Sequence, residues 1–287
     1  MLQSFQNFFK PPKQHPRNYL KTQRLQKDNL NIVITGGTKG LGKSLAIEFA
    51  NRGDNVHIIS RGNIPMDDTL KQYSNRIKQF KCDVADSKQL TTILPIVQYS
   101  FPNPEIDIWI NNAGQSGGCR PLNDLTYTKI HDIIDTNLLG TIISCKMLYP
   151  VLKTQSTGGA IFNLAGAGSD GNATPNYSIY GSTKSGLIQF TKSIQQEWKQ
   201  DNVDVHTISP GLMWTDLLTD NLSNQLPQNT VDMVEFLSSH PDVVAQYLVP
   251  RIKNAYYYKE TDNIKFMTIL RVLGNSVARP LKPFTRE

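Results

Sequence analysis

The sequence predicts an α/β fold: a doubly wound parallel sheet with helices on both faces and a helical extension at the carboxyl end. Three observations carry this. Apolar, largely β-branched runs of four to seven residues alternate with longer segments of helical periodicity, the pattern of strands buried on both faces and joined by crossover helices. A glycine-rich turn stands between the first such strand and the first such helix. The composition, 39% hydrophobic and 19% charged over 287 residues with three cysteines, suits a large folded domain and excludes disordered, collagen-like and disulfide-dense classes.

Residues 1–30 contain Pro11, Pro12 and Pro16 and no sustained periodicity, so they are expected to form an amino-terminal arm. Residues 31–287 are expected to form a single domain, in which 212–270 supply a substrate lid and carboxyl-terminal helices. NIVIT (31–35) is the first strand, and a helix follows over 41–53, ended by Gly53. NVHIIS (55–60) and IKQFKC (77–82) are strands, and the next helix starts near Ser87 with that serine as N-cap. IDIWI (106–110) is a buried strand, 126–152 a long helix, 159–165 a strand, 177–200 a helix and VDVHTIS (203–209) a further strand. Beyond 212 the chain reads mostly helical, with AYYY (255–258) a candidate last strand.

The net charge of +6 invites a nucleic-acid reading, but its distribution argues against one. Lys10, Lys13, Arg17, Lys21, Arg24 and Lys27 fall within residues 1–27 with no acid among them, leaving 24 basic and 24 acidic residues from Asp28 onward. The excess belongs to the arm, a segment for targeting, for contact with an anionic membrane surface, or for nothing specific. No nucleic acid is expected as a partner. No apolar run approaches the roughly 18 residues of a bilayer-spanning helix, so a soluble, cytoplasmic protein is the default expectation. Cys82, Cys119 and Cys145 are scattered, as in a reducing compartment. The five histidines lack metal-ligand spacing, and no metal is expected.

TGGTKGLG (35–42) has the strand-before, helix-after context of a dinucleotide loop. Gly36 permits a tight turn, Gly40 lets backbone approach a pyrophosphate, and Gly42 allows close helix–strand packing. Thr38, Lys39 and Leu41 complete the loop, whose helix N-terminus would face the phosphates. A purely structural turn is the alternative. The second strand ends in Ser60-Arg61 with no acid before Asp67, so Arg61 and Lys39 favour NADP(H) over NAD(H), unless both are solvated surface residues. Asp83 is placed to meet the adenine amino group or simply terminates its strand. In YGSTK, helical spacing puts Tyr180 and Lys184 on one face, where an ammonium would lower the phenol pKa toward the range of proton transfer.

These two motifs, with NNAG (111–114), TNLLG (136–140) and SPGLMWT (209–215), stand in the order of the short-chain dehydrogenase/reductase family, which the chain resembles over about 31–217. The resemblance implies a Rossmann-type fold and places Asn111 in the turn of the fourth strand. It puts Asn112, Ala113 and Gly114 beside the cofactor, Asn137 on a water of the proton relay, and Lys184 on the nicotinamide ribose as well. Pro210, Gly211 and Thr215 would flank the nicotinamide. Simpler roles are a hydrogen bond within its helix for Asn137 and a helix cap for Thr215. The resemblance also implies a homo-oligomer, a dimer or tetramer built through the helices at 126–152 and 177–200.

One position departs from the family pattern. The serine usually found about 13 residues before the tyrosine is Ala167 here, and the nearest hydroxyl is Ser169. Either the glycine-rich loop bends Ser169 into the site as a catalytic group, or backbone N–H groups replace it. AGAGSDGNATP before YGSTK, together with DVVAQYLVPRIK (242–253), is similar to the chlorophyll(ide) b reductases, a plastid subgroup that reduces the 7-formyl group of the pigment. That likeness extends to about 31–270. It implies NADPH-dependent carbonyl reduction of a small apolar substrate; the apolar content of 212–270 (Leu212, Met213, Trp214, Leu217, Leu218, Phe236 and Leu237) would wall its pocket or, at some of these positions, only pack a helix on the core. The alternatives are a reductase of another bulky apolar aldehyde or ketone (steroid, retinoid or lipid) and a non-catalytic NADP(H)-binding sensor. A plastid location follows if the likeness holds, although the arm carries one Ser and one Thr only.

Overall fold

The computed structural model describes residues 24–62, 65–213, 238–259 and 263–266. Seven strands form one parallel sheet: β1 Asn31–Thr35, β2 Asn55–Ser60, β3 Ile77–Lys81, β4 Ile108–Asn111, β5 Gly159–Leu164, β6 Val203–Ser209 and β7 Asn263–Lys265. Their spatial order is β3-β2-β1-β4-β5-β6-β7. The order reverses direction between β1 and β4, the point at which open parallel sheets leave a crevice beyond the strands' carboxyl ends. The helices are α1 Gly40–Asn51, α2 Asp68–Lys71, α3 Ser87–Tyr99, α4 Tyr127–Ile134, α5 Gly140–Thr154, α6 Ser178–Glu197 and α7 Pro241–Tyr258.

Strands β1, β4 and β5 are buried along their whole length because helices cover both faces. On one face, Leu45 and Phe49 of α1 pack with Leu248, Ile252 and Tyr256 of α7 over Ile32 and Ile110. On the other, Val97 of α3, Leu148 of α5 and Ile194 of α6 close over Val33, Trp109 and Ile161. Polar side chains inside this second layer satisfy one another. Asn111, the last residue of β4, accepts from Trp109 Nε1 at 2.8 Å and donates to Asn163, which donates in turn to Thr191.

Four expectations are corrected. The helix expected over 126–152 is interrupted: a π-helical turn, Asp135–Leu139, separates α4 from α5. Asp86, not Ser87, caps α3, its carboxylate accepting from the N–H groups of Lys88 and Gln89 at 2.9 and 3.1 Å. The tyrosines of 255–258 form the last turn of α7 rather than a strand. Tyr256 and Tyr257 continue the buried stripe of Ile252 and Ala255, and that burial overrides the β preference of tyrosine. Finally, the packed body begins before Asn31. Arg24 is buried, forms an ion pair with Asp204 at 2.8 Å, and donates to the carbonyls of Thr157, Tyr256, Gly159 and Asn202. Lys27 joins Glu105 and Asp107 at 2.8 and 2.7 Å, so two of the six basic residues assigned to the arm neutralise acids of the domain.

Candidate active site

Loops at the carboxyl ends of the strands enclose a cavity of 1070 Å³. Of the residues singled out by sequence, Gly36, Thr38, Lys39, Gly40, Leu41, Arg61, Asn112, Ala113, Gly114, Tyr180, Lys184, Pro210 and Gly211 all line it. So do Leu212 and Met213 of the expected substrate wall. Thr215, Trp214, Leu217, Leu218, Phe236 and Leu237 lie outside the described residues.

The glycine loop has the geometry its composition suggests. Gly36 and Gly40 adopt φ of 67° and 53°, which a side chain would strain. Gly42 does not line the cavity; a Cβ there would overlap the Gly36 carbonyl, so its role is to seat the first turn of α1 against the loop. Asn112 fixes the same loop from the β4 side, Nδ2 donating to the carbonyls of Thr35 and Gly36 at 2.9 and 3.0 Å. Thr35 Oγ1 accepts from the N–H groups of Asn112 and Ala113. The α1 N-terminus carries no side-chain cap and opens beside Thr38 and Lys39 of the lining. Free N–H groups, a close backbone approach and two cations at the rim fit a dinucleotide bearing phosphates. Asp83 is placed differently from expectation: Cys82 and Val84 line the cavity, while the Asp83 carboxylate accepts from the Ala85 N–H at 3.0 Å.

Tyr180 and Lys184 lie one turn apart on α6, only 8% and 5% exposed, with Lys184 Nζ 5.7 Å from the centre of the phenol ring. Lys184 donates to the Leu164 carbonyl at 2.9 Å. Burial pushes the ammonium down to about 8 and the phenol up to about 12, the latter with a smaller contribution from Tyr177. The expected lowering of the phenol pKa by its lysine is not what this cleft shows: desolvation, with Tyr177, raises it. Tyr180 is held as a neutral phenol, the form that gives a proton rather than takes one.

Asn137 sits in the π-helical turn, 1% exposed. Its Oδ1 accepts from the Gln115 N–H at 2.8 Å, and its Nδ2 donates to the Gln115 carbonyl at 2.8 Å and to Thr183 Oγ1 at 3.2 Å. It thus ties the loop after β4 to the helix bearing Tyr180, a different role from a bond within its own helix. A Cβ on Gly114 would stand 3.4 Å from Asn137 Oδ1 and 4.0 Å from Lys184 Nζ, so the three residues converge on one spot.

Ser169 is not among the lining residues. Its hydroxyl accepts from the Gly166 N–H at 2.8 Å and its own N–H donates to the Gly166 carbonyl, closing a tight turn. Ala167, at the position of the missing serine, does line the cavity. The sequence reading missed Gly166: a Cβ there would collide with the Tyr180 hydroxyl. It also missed Tyr177, whose ring meets Tyr180 edge-on at 6.3 Å. Neither announces itself, since one glycine among several and one tyrosine among 11 carry no local signature.

Among the described residues, no group of His, Cys, Asp and Glu is arranged to hold a metal, and no helix is long and apolar enough to cross a membrane. Comparison with known proteins agrees with this geometry. The chain is 40% identical over 232 residues to the chloroplastic chlorophyll(ide) b reductase NOL of Arabidopsis thaliana, an alignment covering 78% of this chain and 65% of that protein. It is 39% identical to the probable chlorophyll(ide) b reductase NYC1 of the same plant, covering 78% of this chain and 48% of the relative. The chain therefore spans about half to two thirds of the length of these relatives. Among solved structures, the 3-ketoacyl-(acyl-carrier-protein) reductase from Brucella melitensis complexed with NADH shares the fold, with a TM-score of 0.70 at 20% identity over 82% of this chain and 96% of that one. The sequence model of the short chain dehydrogenases matches residues 30–226, which hold the glycine loop, Asn137, Tyr180, Lys184 and the loop after β6; the chain belongs to that family of oxidoreductases.

Proposed function

We propose that the chain is an NADPH-dependent carbonyl reductase and that its substrate is the formyl group of a chlorophyll(ide) b-type pigment. The observation that carries the chemistry is the buried Tyr180–Lys184 pair in one cavity with the glycine loop. Gly36, Thr38, Gly40 and Leu41 would hold the cofactor pyrophosphate, Lys39 and Arg61 its ribose phosphate, Ala113 and Gly114 would lie beside the adenine ribose, and Lys184, Pro210 and Gly211 would hold the nicotinamide half. When bound, the cofactor would supply the hydride that the carbonyl carbon takes up. Tyr180 donates its phenolic proton to the carbonyl oxygen, yielding an alcohol, and the neighbouring Lys184 ammonium stabilises the phenolate left behind until solvent reprotonates it. Asn137 keeps the loop that faces the substrate in register with Tyr180. Gly166 leaves room for the hydroxyl, and Ser169 braces that turn instead of polarising the carbonyl. The pigment assignment is supported by the two relatives named above and by a cavity large enough for a bulky carbonyl compound.

Two further features belong to this reading. Assembly as a dimer or tetramer is supported by Tyr127, 86% exposed, and by Ile134 and Leu139, all on the α4–α5 segment; light scattering tests it. A plastid location rests on the chloroplastic relatives and is tested by fractionation of the source cells. The decisive assay is NADPH against NADH with chlorophyllide b and a panel of steroid and retinoid carbonyls. Arg61→Asp should lower the preference for NADPH by roughly tenfold, and an unaltered preference would remove Arg61 from the phosphate site. NADPH binding without turnover of any carbonyl would replace the reductase with a sensor.

A further inference from the structure

The side chain of Gln115 takes no part in the chemistry above, yet it grips the segment that delivers Asn137. Its Nε2 donates to Thr136 Oγ1 at 2.9 Å and to the Asp132 carbonyl at 3.2 Å, and its Oε1 accepts from Lys129 Nζ at 3.4 Å. Lys129, Asp132 and Thr136 recur at i, i+3 and i+7, one face of α4 as it runs into the π-helical turn. The Asp132 carbonyl already accepts from the Asp135 N–H that ends α4, so the carboxamide adds a second donor where the α-helical and π-helical turns join. Asn137 answers from the residue after Thr136: its side chain holds both the N–H and the carbonyl of Gln115 at 2.8 Å. Each side chain binds the main chain of the other's segment, a clasp closed in both directions.

The clasp continues to the proton donor. Asn137 Nδ2 also donates to Thr183 Oγ1 at 3.2 Å, and Thr183 Oγ1 donates to the Tyr180 carbonyl at 2.7 Å. Thr136, Asn137 and Thr183 are all buried, so a bond lost among them is not made good by bulk water. Glutamine suits the position because its amide donates and accepts at once: Lys129 calls for an acceptor, whereas the Asp132 carbonyl calls for a donor. Glutamate would set a carboxylate against that carbonyl, and asparagine is one methylene shorter.

We propose that Gln115 is a positioning residue for proton transfer: its carboxamide fixes the Asn137 turn and, through Asn137 and Thr183, sets the Tyr180 hydroxyl against the carbonyl to be reduced. This deepens, and rests on, the reductase reading. Because Gln115 acts through the buried clasp, its loss slows the step in which Tyr180 gives its proton to the carbonyl oxygen and leaves NADPH binding intact. A small displacement of a proton donor is enough to cost roughly tenfold or more in rate.

The test measures variant kinetics on the carbonyl that the wild type reduces fastest, taken from chlorophyllide b and the steroid and retinoid panel. Gln115→Met should lower kcat roughly tenfold, with the KM for NADPH and the melting temperature close to wild type. The solvent deuterium isotope effect on kcat should rise at the same time, since proton donation has slowed; a brace of the fold alone would leave it unchanged. Thr136→Val should reproduce part of the loss and Thr136→Ser, which keeps the hydroxyl, should regain it. Thr136→Val added to Gln115→Met should cost little more than Gln115→Met by itself. Unchanged kcat and isotope effect in Gln115→Met, beside an active wild type, would overturn the positioning role and leave the reductase reading in place. A fall in kcat matched by weaker NADPH binding and a lower melting temperature would overturn it as well. If Gln115→Met does not fold, Thr136→Val and Thr136→Ser decide between the same outcomes. A wild type that reduces no carbonyl would overturn the reductase reading and this role with it.

Discussion

At the amino ends of the strands, acids and bases are matched: Arg24 with Asp204, Lys27 with Glu105 and Asp107, Lys253 with Asp54. At the carboxyl ends, among the described residues, five basic side chains line the cleft with one acid. Both ends are part-buried, so solvation alone does not separate them. Below, each charge meets fixed partners of opposite sign, an arrangement that resists unfolding when intact and is costly when half of it is removed. Above, Lys39 and Arg61 stand in the cleft beside the glycine loop.

Substitutions at the two ends should consequently fail in different ways. The largest effect is expected at the top: Tyr180→Phe should lower turnover by roughly a thousandfold while leaving the melting temperature close to wild type, measured by initial rates and calorimetry. At the bottom, Arg24→Ala should destabilise the chain by about 3–5 kcal/mol in denaturant unfolding, because four carbonyl acceptors lose their donor and Asp204 loses its nearer cation, Lys259 standing at 3.6 Å. Turnover per folded molecule should be retained, and loss of turnover without loss of stability would contradict the division. Gly166→Ala should cost roughly 10- to 100-fold in turnover with only a small change in stability, since the new methyl displaces the Tyr180 hydroxyl.

The smallest effect is a titration. Burial holds Lys184 down to about 8, so it is an ammonium below that pH and loses its proton as the pH rises through it. The kcat/KM for NADPH, which reports the free protein, should therefore fall above about pH 8, and Lys184→Arg should carry the plateau to higher pH. A flat profile to pH 10 would mean that the cationic form of Lys184 is not needed.

The two ends also differed in how well the sequence announced them. The strands from β1 to β6 and the glycine loop were legible because their signals are local: an apolar run, a turn, a helix start. Tyr180 and Lys184 were legible because four residues is one helical turn. What could not be read was long-range. Arg24 looked like one more charge in a basic arm, and only the fold brings it to Asp204 and Tyr256. Likewise, the π-helical turn at Asn137 has no compositional mark, and the stripe of α7 was hidden because three consecutive tyrosines resemble a strand. Ser169 was weighed as a catalytic group on sequence distance alone, which says nothing about where a hydroxyl points.

The Arg24 clasp has a consequence for synthesis. Its side-chain acceptors lie 133 to 232 residues further along the chain. Arg24 therefore leaves the ribosome long before the carbonyl of Tyr256 exists, and the contact joins the most distant parts of the described chain. Closure of so large a loop comes late in folding, because its entropy is recovered only when the sheet already holds the partners in place. The Tyr256 carbonyl is the last of the four acceptors to be made, so the clasp is completed only once α7 has been synthesised and packed.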